Sequence, residues 1–245
     1  MSRRTRDTGM VPSISVVIPT LNEAARLPIL LEKLAAQTVS PLEVLVCDGD
    51  STDQSAEIAR QFPGVTLLPC ERGVSRQRNV GARAASAELL IFLDADDAPG
   101  PDFLEKAARS YHRLPFSIAC PWFVALDGNL AAKLCYFLFN IGFFLGQSTL
   151  RMGSGVCLIC PRDAFLKVGG FDETLHLGED IQLIRKLCPR FGLHRHLLIP
   201  LGTSARRFER VGAFKLMLFY ARITPLLLFG CWKHLQKQFY EPSGE

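Results

Sequence analysis

The stretch Leu89-Leu90-Ile91-Phe92-Leu93-Asp94-Ala95-Asp96-Asp97 decides the fold class of this 245-residue chain. Its first five residues are apolar, which is typical of a strand that is buried on both faces at the centre of a parallel sheet. Three carboxylates follow within four positions, where such a strand ends. Ligands of open α/β sheets bind at the carboxyl ends of strands. The stretch therefore predicts a central strand that brings acidic side chains to a binding site.

Asp94 and Asp96 are the residues of this stretch that we consider as metal ligands. They lie two positions apart, so on an extended chain both side chains can face the same side. Carboxylates this close repel one another unless a cation lies between them, and hard oxygen ligands suit Mg²⁺ or Mn²⁺. We therefore predict a divalent metal site here. The alternative is a polar turn, because an Asp-Asp pair before Ala98-Pro99-Gly100 is favourable turn chemistry.

Strands and helices alternate along the first part of the chain. The predicted strands, which are rich in apolar and β-branched residues, are 13–18, 43–47, 65–68 and 89–93. This order predicts an α/β fold with a mainly parallel, Rossmann-like central sheet flanked by helices. Asp48, Asp94 and Asp96 follow strands whose carboxyl ends meet at one edge of such a sheet. We therefore expect these three residues to share a site.

Two polar segments are predicted to begin helices. The segment 20–23 follows the first strand and should open an amphipathic helix, with Thr20 or Asn22 as its N-cap. Asp180 should open the helix 181–191, and the helix dipole favours a carboxylate in the first turn of any helix. A capping role is therefore the alternative to a chemical role for Asp180.

The composition is that of a globular protein whose charge is unevenly placed. The chain is 48% hydrophobic and 21% charged, and from Arg185 onward it carries 11 Lys or Arg against 3 Asp or Glu. A basic C-terminal part suits an acidic partner, either a phosphorylated substrate or an anionic membrane face. We do not expect nucleic acid as a partner, because the chain has no nucleic-acid-binding motif and its aromatic residues lie in apolar runs.

The ends of the chain and its cysteines predict the location and the domain organisation. Residues 1–12 are basic, lack the apolar stretch of a signal peptide and are predicted to be disordered. Most of the eight cysteines lie in apolar surroundings, as buried free thiols do, so we predict a cytoplasmic protein. No linker interrupts residues 13–210, which we predict to be one domain, followed by a C-terminal segment at 211–245.

Six short motifs together resemble those of the family 2 glycosyltransferases, which have the GT-A fold. The motifs are VIPTLNE (17–23), CDGDSTD (47–53), RNVGA (78–82), DADD (94–97), GGFD (169–172) and GED (178–180). Each motif alone is weak, but the set is specific and spans most of 13–210. The resemblance implies an inverting enzyme that transfers a sugar from a nucleotide-diphosphate donor, usually a UDP-sugar, with Mn²⁺ or Mg²⁺.

The resemblance also implies which residues bind the donor nucleotide. Pro19 and Glu23 would line the nucleoside pocket. Asp48 would accept a hydrogen bond from the base, and Arg78 would lie near the nucleotide. These positions are carried over from the family motifs, one residue at a time.

The chemical step is assigned to three carboxylates on the same basis. Asp94 would hold the ribose or the metal, and Asp96 would bind the metal that bridges the two phosphates. This metal would neutralise the charge that develops on the departing diphosphate. Asp180 would be the general base that accepts the proton of the acceptor hydroxyl.

Two features depart from the family pattern. Asp50 stands where relatives usually have Gly, which adds a charge beside the predicted base pocket. The Gln-x-x-Arg-Trp motif of processive synthases is absent, and the segment 204–208 (SARRF) occupies its place, as in the small single-domain members. Processive synthesis is therefore not expected. The arginines of this segment could hold the donor diphosphate or an anionic acceptor, or form a solvated basic helix start.

Two other functions are alternatives to glycosyl transfer. A sugar nucleotidyltransferase would share the sheet but should begin with a Gly-rich phosphate loop that contains a Lys, and the segment 19–22 has neither. A non-catalytic nucleotide- or sugar-binding module would be a degenerate transferase. The presence of Asp94, Asp96 and Asp180 argues against this second alternative.

The segment 214–230 is apolar but interrupted, which points to the membrane surface. It is slightly shorter than the ~20 apolar residues of a spanning helix and contains Lys215, Arg222 and Pro225. We expect an interfacial helix at the inner face of the membrane, joined by the apolar helix at 134–145, and a lipid-linked acceptor. The alternative is that both segments pack on each other or in a homodimer interface.

Overall fold

The computed structural model describes residues 11–147, 151, 153 and 155–230. Its strands form one sheet, and they are β1 Ile14–Thr20, β2 Glu43–Asp48, β3 Val65–Pro69, β4 Leu89–Leu93, β5 Asp97–Pro99, β6 Ile118–Ala125, β7 Cys157–Pro161 and β8 His194–Thr203. Their spatial order is β3-β2-β1-β4-β7-β6-β8-β5. The strand that the acidic stretch predicts, β4, lies in the interior of this sheet.

The predicted α/β fold is confirmed, and half of the sheet is parallel. β1 pairs in parallel with β2 and β4, and β2 pairs in parallel with β3. The other half is mixed: β7 runs antiparallel to β4 and β6, β6 is parallel to β8, and β5 is antiparallel to β8. An apolar run predicts the burial of a strand but not its direction, so the sequence did not reveal the antiparallel strands.

Helices connect the strands and cover the sheet. They are α1 Leu27–Ala35, α2 Ser55–Gln61, α3 Val74–Ala84, α4 Phe103–Arg113, α5 Leu130–Gly146, α6 Arg162–Lys167, α7 Glu179–Phe191, α8 Arg206–Val211 and α9 Ala213–Leu228. α3 packs directly against β1 and β2, because Gly81 has no side chain. A Cβ atom at this position would overlap Val17 of β1 and the sulfur of Cys47.

The predicted N-cap of the first helix is wrong. Thr20 is the last residue of β1, and α1 begins only at Leu27, with Arg26 at the N-cap position and a proline in the first turn. Asn22 has a positive φ of 55°, which is incompatible with helical continuation. The polar residues after β1 therefore form a loop at the edge of the sheet, where they are available to a ligand.

Asp180 is not the N-cap of its helix either. The N-cap of α7 is Gly178, with a φ of 81°, and Asp180 is the second helical residue. Glycine adopts this left-handed conformation without steric cost. Asp180 is therefore not the N-cap residue, although its carboxylate accepts from the first-turn amide of Ile181 and the helix dipole favours it at this position.

β5 is a short strand that the sequence analysis treated as a turn. The amide of Asp97 donates to the carbonyl of Asp94 at 3.0 Å, which closes a turn directly after β4. Residues 97–99 then pair with β8, with Asp97 opposite Thr203. A three-residue strand that contains proline has little propensity signal, and the pairing with β8 stabilises it.

The core is centred on β4, whose five residues are all fully buried. The ring of Phe92 contacts the rings of Phe165 and Phe171, with centroids 5.3 and 5.4 Å away. Phe171 belongs to the GGFD motif. This aromatic cluster therefore joins β4 to the loop that leads into α7.

α9 packs on the domain through one face and exposes the other. Leu216 is buried in a cluster with Ala132 and Cys135 of α5, and Ile223 and Leu227 pack against Ile181. The remaining faces of both helices expose large apolar side chains, namely Leu130, Leu134, Phe137, Leu138, Leu145, Met217 and Leu218. In the described part of the chain, no helix is both long and apolar enough to cross a membrane.

Asn140 attaches α5 to the sheet. Its amide group donates to the carbonyl of Phe123 at 2.7 Å, and its Oδ1 accepts from the amide of Phe123 at 2.9 Å. The ring Nε2 of His196 lies 3.1 Å from the same oxygen. Asn140 and His196 are both buried, so these hydrogen bonds have no solvent substitute.

Asn140→Leu should lower the free energy of unfolding by roughly 2 kcal/mol or more, because both polar groups of Phe123 would remain buried and unpaired. Urea unfolding measures this change. Asn129→Ser is the control: Asn129 is the exposed N-cap of α5, and serine keeps an acceptor for the Ala132 amide. Equal stability of Asn140→Leu and the wild type would contradict the attachment of α5 through this residue.

Candidate active site

The carboxyl ends of β1, β2 and β4 meet at one edge of the sheet. Thr20 is paired with Asp48 in the register of β1 and β2, and Pro19 precedes it opposite Cys47. Gln77 of α3 closes the space behind them, because its side-chain amide donates to the carbonyls of Thr20 at 2.7 Å and Cys47 at 2.8 Å. Hydrogen bonds from Gln77 therefore fix the ends of β1 and β2, where the nucleoside pocket is predicted.

The loops after β1 and β2 are hydrogen-bonded to each other. Asn22 Oδ1 accepts from the amide of Thr52 at 2.8 Å, and the Asn22 amide donates to Ser51 Oγ at 2.9 Å. The Glu23 amide donates to Ser55 Oγ at 2.9 Å. The left-handed conformation of Asn22 thus positions both Glu23 and the acidic loop. These contacts place the first two sequence motifs side by side.

Asp50 has a φ of 67°, which explains why a glycine would suit this position. Asparagine and aspartate tolerate the left-handed region better than most residues, so the substitution is compatible with the loop. Asp50 is exposed, whereas Asp48 is buried. The additional charge therefore lies at the solvent side of this loop.

Asp48 offers one unpaired oxygen to a ligand. Its Oδ2 accepts from the Ser51 amide at 3.1 Å, whereas Oδ1 is buried and has no hydrogen-bond partner within the described residues. A buried acceptor without a partner costs about 1–3 kcal/mol. A donor group on a bound molecule would remove this cost, as expected for recognition of a nucleoside base.

Arg78 connects the two sides of the site and is only 3% exposed. Its Nη2 donates to Asp94 Oδ1 at 2.8 Å and to the carbonyl of Gly155 at 2.9 Å, and its Nη1 lies 3.8 Å from Glu179 Oε1. The guanidinium also lies 5.5 Å from the centre of the Phe171 ring. Burial opposes the charge, but Asp94 and Glu179 outweigh it and raise the pKa of Arg78.

Asp97 holds the acidic turn, residues 94–97, in place through a side-chain hydrogen bond. Its Oδ2 accepts from the Asp94 amide at 2.9 Å, and the residue is 2% exposed. Burial, together with the Asp94 charge, raises the pKa of Asp97 well above its usual range. The sequence analysis assigned no role to Asp97. The signal was its place in the DADD motif, but its function of holding the turn depends on tertiary burial.

Asp96 is paired with Arg206, the first residue of α8, which follows β8. Arg206 Nε lies 3.1 Å from Asp96 Oδ2, and Arg206 Nη2 lies 2.8 Å from Glu23 Oε1. Burial raises the pKa of Asp96, although Arg206 opposes this shift. Glu23, predicted in the nucleoside pocket, and the arginine segment after β8 are therefore brought to the same point as Asp96.

The acidic turn fits a divalent cation whose remaining ligands come from elsewhere. In the described part of the chain, no group of three or more His, Cys, Asp or Glu side chains could hold a metal. Asp94 and Asp96 would supply two carboxylates, and Mg²⁺-type sites commonly use one or two carboxylates with substrate phosphates. The turn already attracts a cation, because the Arg206 guanidinium occupies it.

Asp180 lies close enough to Arg78 for its charge to raise the pKa of that guanidinium. Its Oδ1 accepts from the Ile181 amide at 2.7 Å. A Cβ atom at Gly155 would lie only 3.0 Å from Asp180 Oδ2, so the glycine gives the carboxylate room. Burial and the neighbouring Glu179 raise the pKa of Asp180 to about 7, against the Arg78 charge. A carboxylate with this pKa can accept a proton near neutral pH.

The structure therefore brings the predicted residues to one edge of the sheet. Salt bridges join Arg78 to Asp94 and Glu179, and Arg206 joins Asp96 to Glu23. The nucleotide, metal and base roles of the individual residues remain predictions.

Comparison with known proteins decides the family. A family model for glycosyl transferase family 2 matches residues 15–168, which is more than half of the chain. The chain belongs to glycosyl transferase family 2. An uncharacterized glycosyltransferase of Haemophilus influenzae is 37% identical over 187 residues, which cover 71% of this chain and 61% of that protein. A pre-mycofactocin glycosyltransferase of Mycobacterium tuberculosis is 28% identical over 185 residues and is covered over only 38% of its length. This family 2 chain thus spans less than two thirds of the length of these two relatives.

Solved structures show the same GT-A fold. The mannosyltransferase PcManGT of Pyrobaculum calidifontis, in complex with GDP-Man and Mn²⁺, has a TM-score of 0.67 and 21% identity, over 95% of this chain and 73% of that chain. S. aureus TarS 1–349, in complex with UDP-GlcNAc, has a TM-score of 0.64 and 22% identity, over 79% of this chain and 59% of that chain. These structures show the fold, and the family model shows membership of glycosyl transferase family 2.

Proposed function

We propose that this enzyme performs inverting, metal-dependent transfer of a sugar from a UDP-sugar to an acceptor hydroxyl. One observation carries this proposal: the buried Arg78 pairs with Asp94 and Glu179, and the Asp180 charge also raises its pKa. A donor diphosphate at the acidic turn and an acceptor at the start of α7 would therefore lie close to one fixed cation. Inversion requires a base within reach of the acceptor, on the face of the sugar opposite the leaving group.

Asp48 favours uracil as the base of the donor. Its one unpaired buried oxygen matches the single N–H group on the edge of a uracil ring. A guanine edge presents two adjacent N–H donors, and Asp48 Oδ2 is already engaged by the Ser51 amide. Pro19 and Glu23 would form the wall of this nucleoside pocket, at the end of β1 and in the loop that follows.

Asp94 and Asp96 would hold Mn²⁺ or Mg²⁺ together with the donor phosphates. Bound there, the cation would neutralise the negative charge that develops on the departing diphosphate. The amide of Asp94 is fixed by Asp97, so the turn presents its carboxylates without having to reorganise. The Mn²⁺ in the complex of the Pyrobaculum enzyme supports this assignment by analogy of fold.

Asp180 would accept the proton of the acceptor hydroxyl as this oxygen attacks the anomeric carbon. Its burial and the adjacent Glu179 make it a stronger base than a solvated carboxylate. The missing side chain at Gly155 leaves room for the Asp180 carboxylate itself, which lies directly against this glycine. Arg78 would limit the repulsion between this base and the carboxylates of the acidic turn.

Asp180→Asn should leave binding of UDP in the presence of Mn²⁺ nearly unchanged and reduce UDP release from UDP-sugars by ~10²-fold or more. Because the base must be deprotonated, wild-type release should rise with pH through about 7 and reach a plateau above it. EDTA should stop the release. Calorimetry measures binding, and a coupled UDP assay over a panel of UDP-sugars measures release.

The matched control is Asp163→Asn, which removes an exposed carboxylate from the first turn of another helix, α6. It should release UDP at the wild-type rate. Wild-type-like release by Asp180→Asn would exclude Asp180 as the base. Binding of UDP with Mn²⁺ but no release from any UDP-sugar would instead favour the non-catalytic binding module.

The acceptor is proposed to be lipid-linked, at the cytoplasmic face of an anionic membrane. α5 and α9 together expose an apolar surface, with Leu134 55% and Leu138 49% exposed on one face of α5. Lys215 and Arg222 of α9 are exposed beside it. An apolar helix face with basic residues is the composition that binds anionic lipid surfaces. α8 joins this surface directly to Arg206, so a lipid-linked acceptor there would be close to the site.

The full chain should float with phosphatidylglycerol vesicles and more weakly at high salt, since each basic residue contributes ~1 kcal/mol. Leu134→Gln with Leu138→Gln should reduce flotation without unpacking the core. Ile29→Gln with Leu42→Gln is the matched control, because these residues are 52% and 60% exposed outside this surface. A chain that ignores vesicles but elutes as a dimer disrupted by the α5 changes would support the homodimer alternative.

A further inference from the structure

Arg206 occupies the part of the site where the divalent cation is proposed to bind. Its Nε lies 3.1 Å from Asp96 Oδ2, while Nη2 and Nη1 lie 2.8 and 3.5 Å from the two oxygens of Glu23. The guanidinium therefore bridges the loop after β1 and the turn after β4. Its side chain is 36% exposed, so this cation, unlike that of Arg78, lies at the open side of the site.

The backbone that carries Arg206 is held firmly. Asp127 accepts from Ser204 Oγ at 2.9 Å and from the Ala205 amide at 2.5 Å. Tyr136 of α5 donates from its hydroxyl to the Ser204 carbonyl at 3.1 Å. The start of α8 is therefore fixed, and the long side chain of Arg206 can move without unpacking the helix.

The environment of Asp96 explains why the arginine rests there. Asp94 and Glu23 both add negative charge next to Asp96, and both raise its pKa after the larger effect of burial. Among the described residues, Arg206 is the cation that forms a salt bridge with Asp96. The hydrogen bond to Glu23 and the charge of Asp96 raise the pKa of Arg206 against the effect of burial, so it stays charged.

We propose that Arg206 is an internal counter-ion of Asp96 that a divalent cation displaces when it binds there. This inference rests on the proposed metal-dependent function. Two cations cannot both lie close to the same carboxylate oxygen without strong repulsion. A divalent cation bound at Asp96 Oδ2 would therefore break the Arg206–Asp96 pair, and this loss would weaken the affinity for the metal alone.

The counter-ion links entry of the metal to that of the donor. Without a nucleotide, the metal gains two carboxylates but must displace a guanidinium from one of them. With a nucleotide, the diphosphate supplies further oxygen ligands and can accept the displaced guanidinium, which binds phosphate in a two-pronged geometry. Arg206 thus acts as a positioning residue that keeps the acidic turn neutralised until the metal and the donor arrive together.

Arg206→Gln should tighten the binding of Mn²⁺ alone by at least ~5-fold, because a charge-assisted hydrogen bond no longer competes. Electron paramagnetic resonance of free Mn²⁺, with no nucleotide present, gives the dissociation constant. A variant that was merely less well folded would not bind the metal more tightly. Arg206→Lys retains a competing charge and should bind Mn²⁺ with nearly the wild-type affinity.

Arg26→Gln is the matched control. Arg26 also pairs with Glu23, at 3.5 Å, and is 43% exposed, but in the described part of the chain Asp96 forms its salt bridge with Arg206 and not with Arg26. Its loss should leave Mn²⁺ binding unchanged, which separates competition at Asp96 from a general change of charge. An equal gain in Arg26→Gln, or no gain in Arg206→Gln, would overturn the counter-ion role.

Asp96→Asn distinguishes this inference from the proposed function. Wild type should bind UDP only with Mn²⁺. Asp96→Asn should abolish this Mn²⁺-dependent binding of UDP, and in that background Arg206→Gln should no longer tighten Mn²⁺ binding. Asp96-dependent binding of UDP with Mn²⁺, but no gain in Arg206→Gln, would reject the counter-ion alone. Mn²⁺ and UDP binding that ignore Asp96→Asn would reject both the counter-ion and the metal site.

Discussion

The buried guanidinium of Arg78 is the constraint on which the rest of the site depends. A charge this buried is unfavourable unless it is paired, and removal of one partner from such a pair is strongly destabilising. Arg78 meets this requirement with Asp94, the Gly155 carbonyl and Glu179, which come from three different parts of the chain. The acidic turn after β4 and the start of α7 must therefore stay together, whatever ligand is bound.

The two arginines of the site have different surroundings and different proposed uses. Arg78 is 3% exposed and permanently fixed, whereas Arg206 is 36% exposed and ends a flexible side chain. Burial raises the pKa of Asp94, Asp96 and Asp180, and the charge of Arg78 or Arg206 opposes this shift at each carboxylate. A resident cation at Asp96 and a basic carboxylate at Asp180 are both consequences of crowding acids into a poorly hydrated edge of a sheet.

The sequence predicts the features that depend on neighbouring residues in the chain, such as the burial of β4 and the position of carboxylates at strand ends. The apolar run of β4 predicted its full burial, and the motifs predicted that Asp48, Asp94 and Asp96 would meet at strand ends. The start of α1 was wrong because the left-handed Asn22 is held by residues far along the chain. The roles of Asp97 and Arg206 likewise depend on pairing with β8, which no periodicity in the sequence reveals.

The claim that Arg78 organises the site is tested most directly by Arg78→Lys, which keeps the charge but loses the forked geometry. Calorimetry of UDP binding in the presence of Mn²⁺ should show affinity weaker by at least ~10-fold, about 1.4 kcal/mol. Arg76→Lys, which changes an exposed neighbour paired with Glu71 and Glu173, should bind as the wild type does. Wild-type affinity in Arg78→Lys, at unchanged thermal stability, would contradict the account.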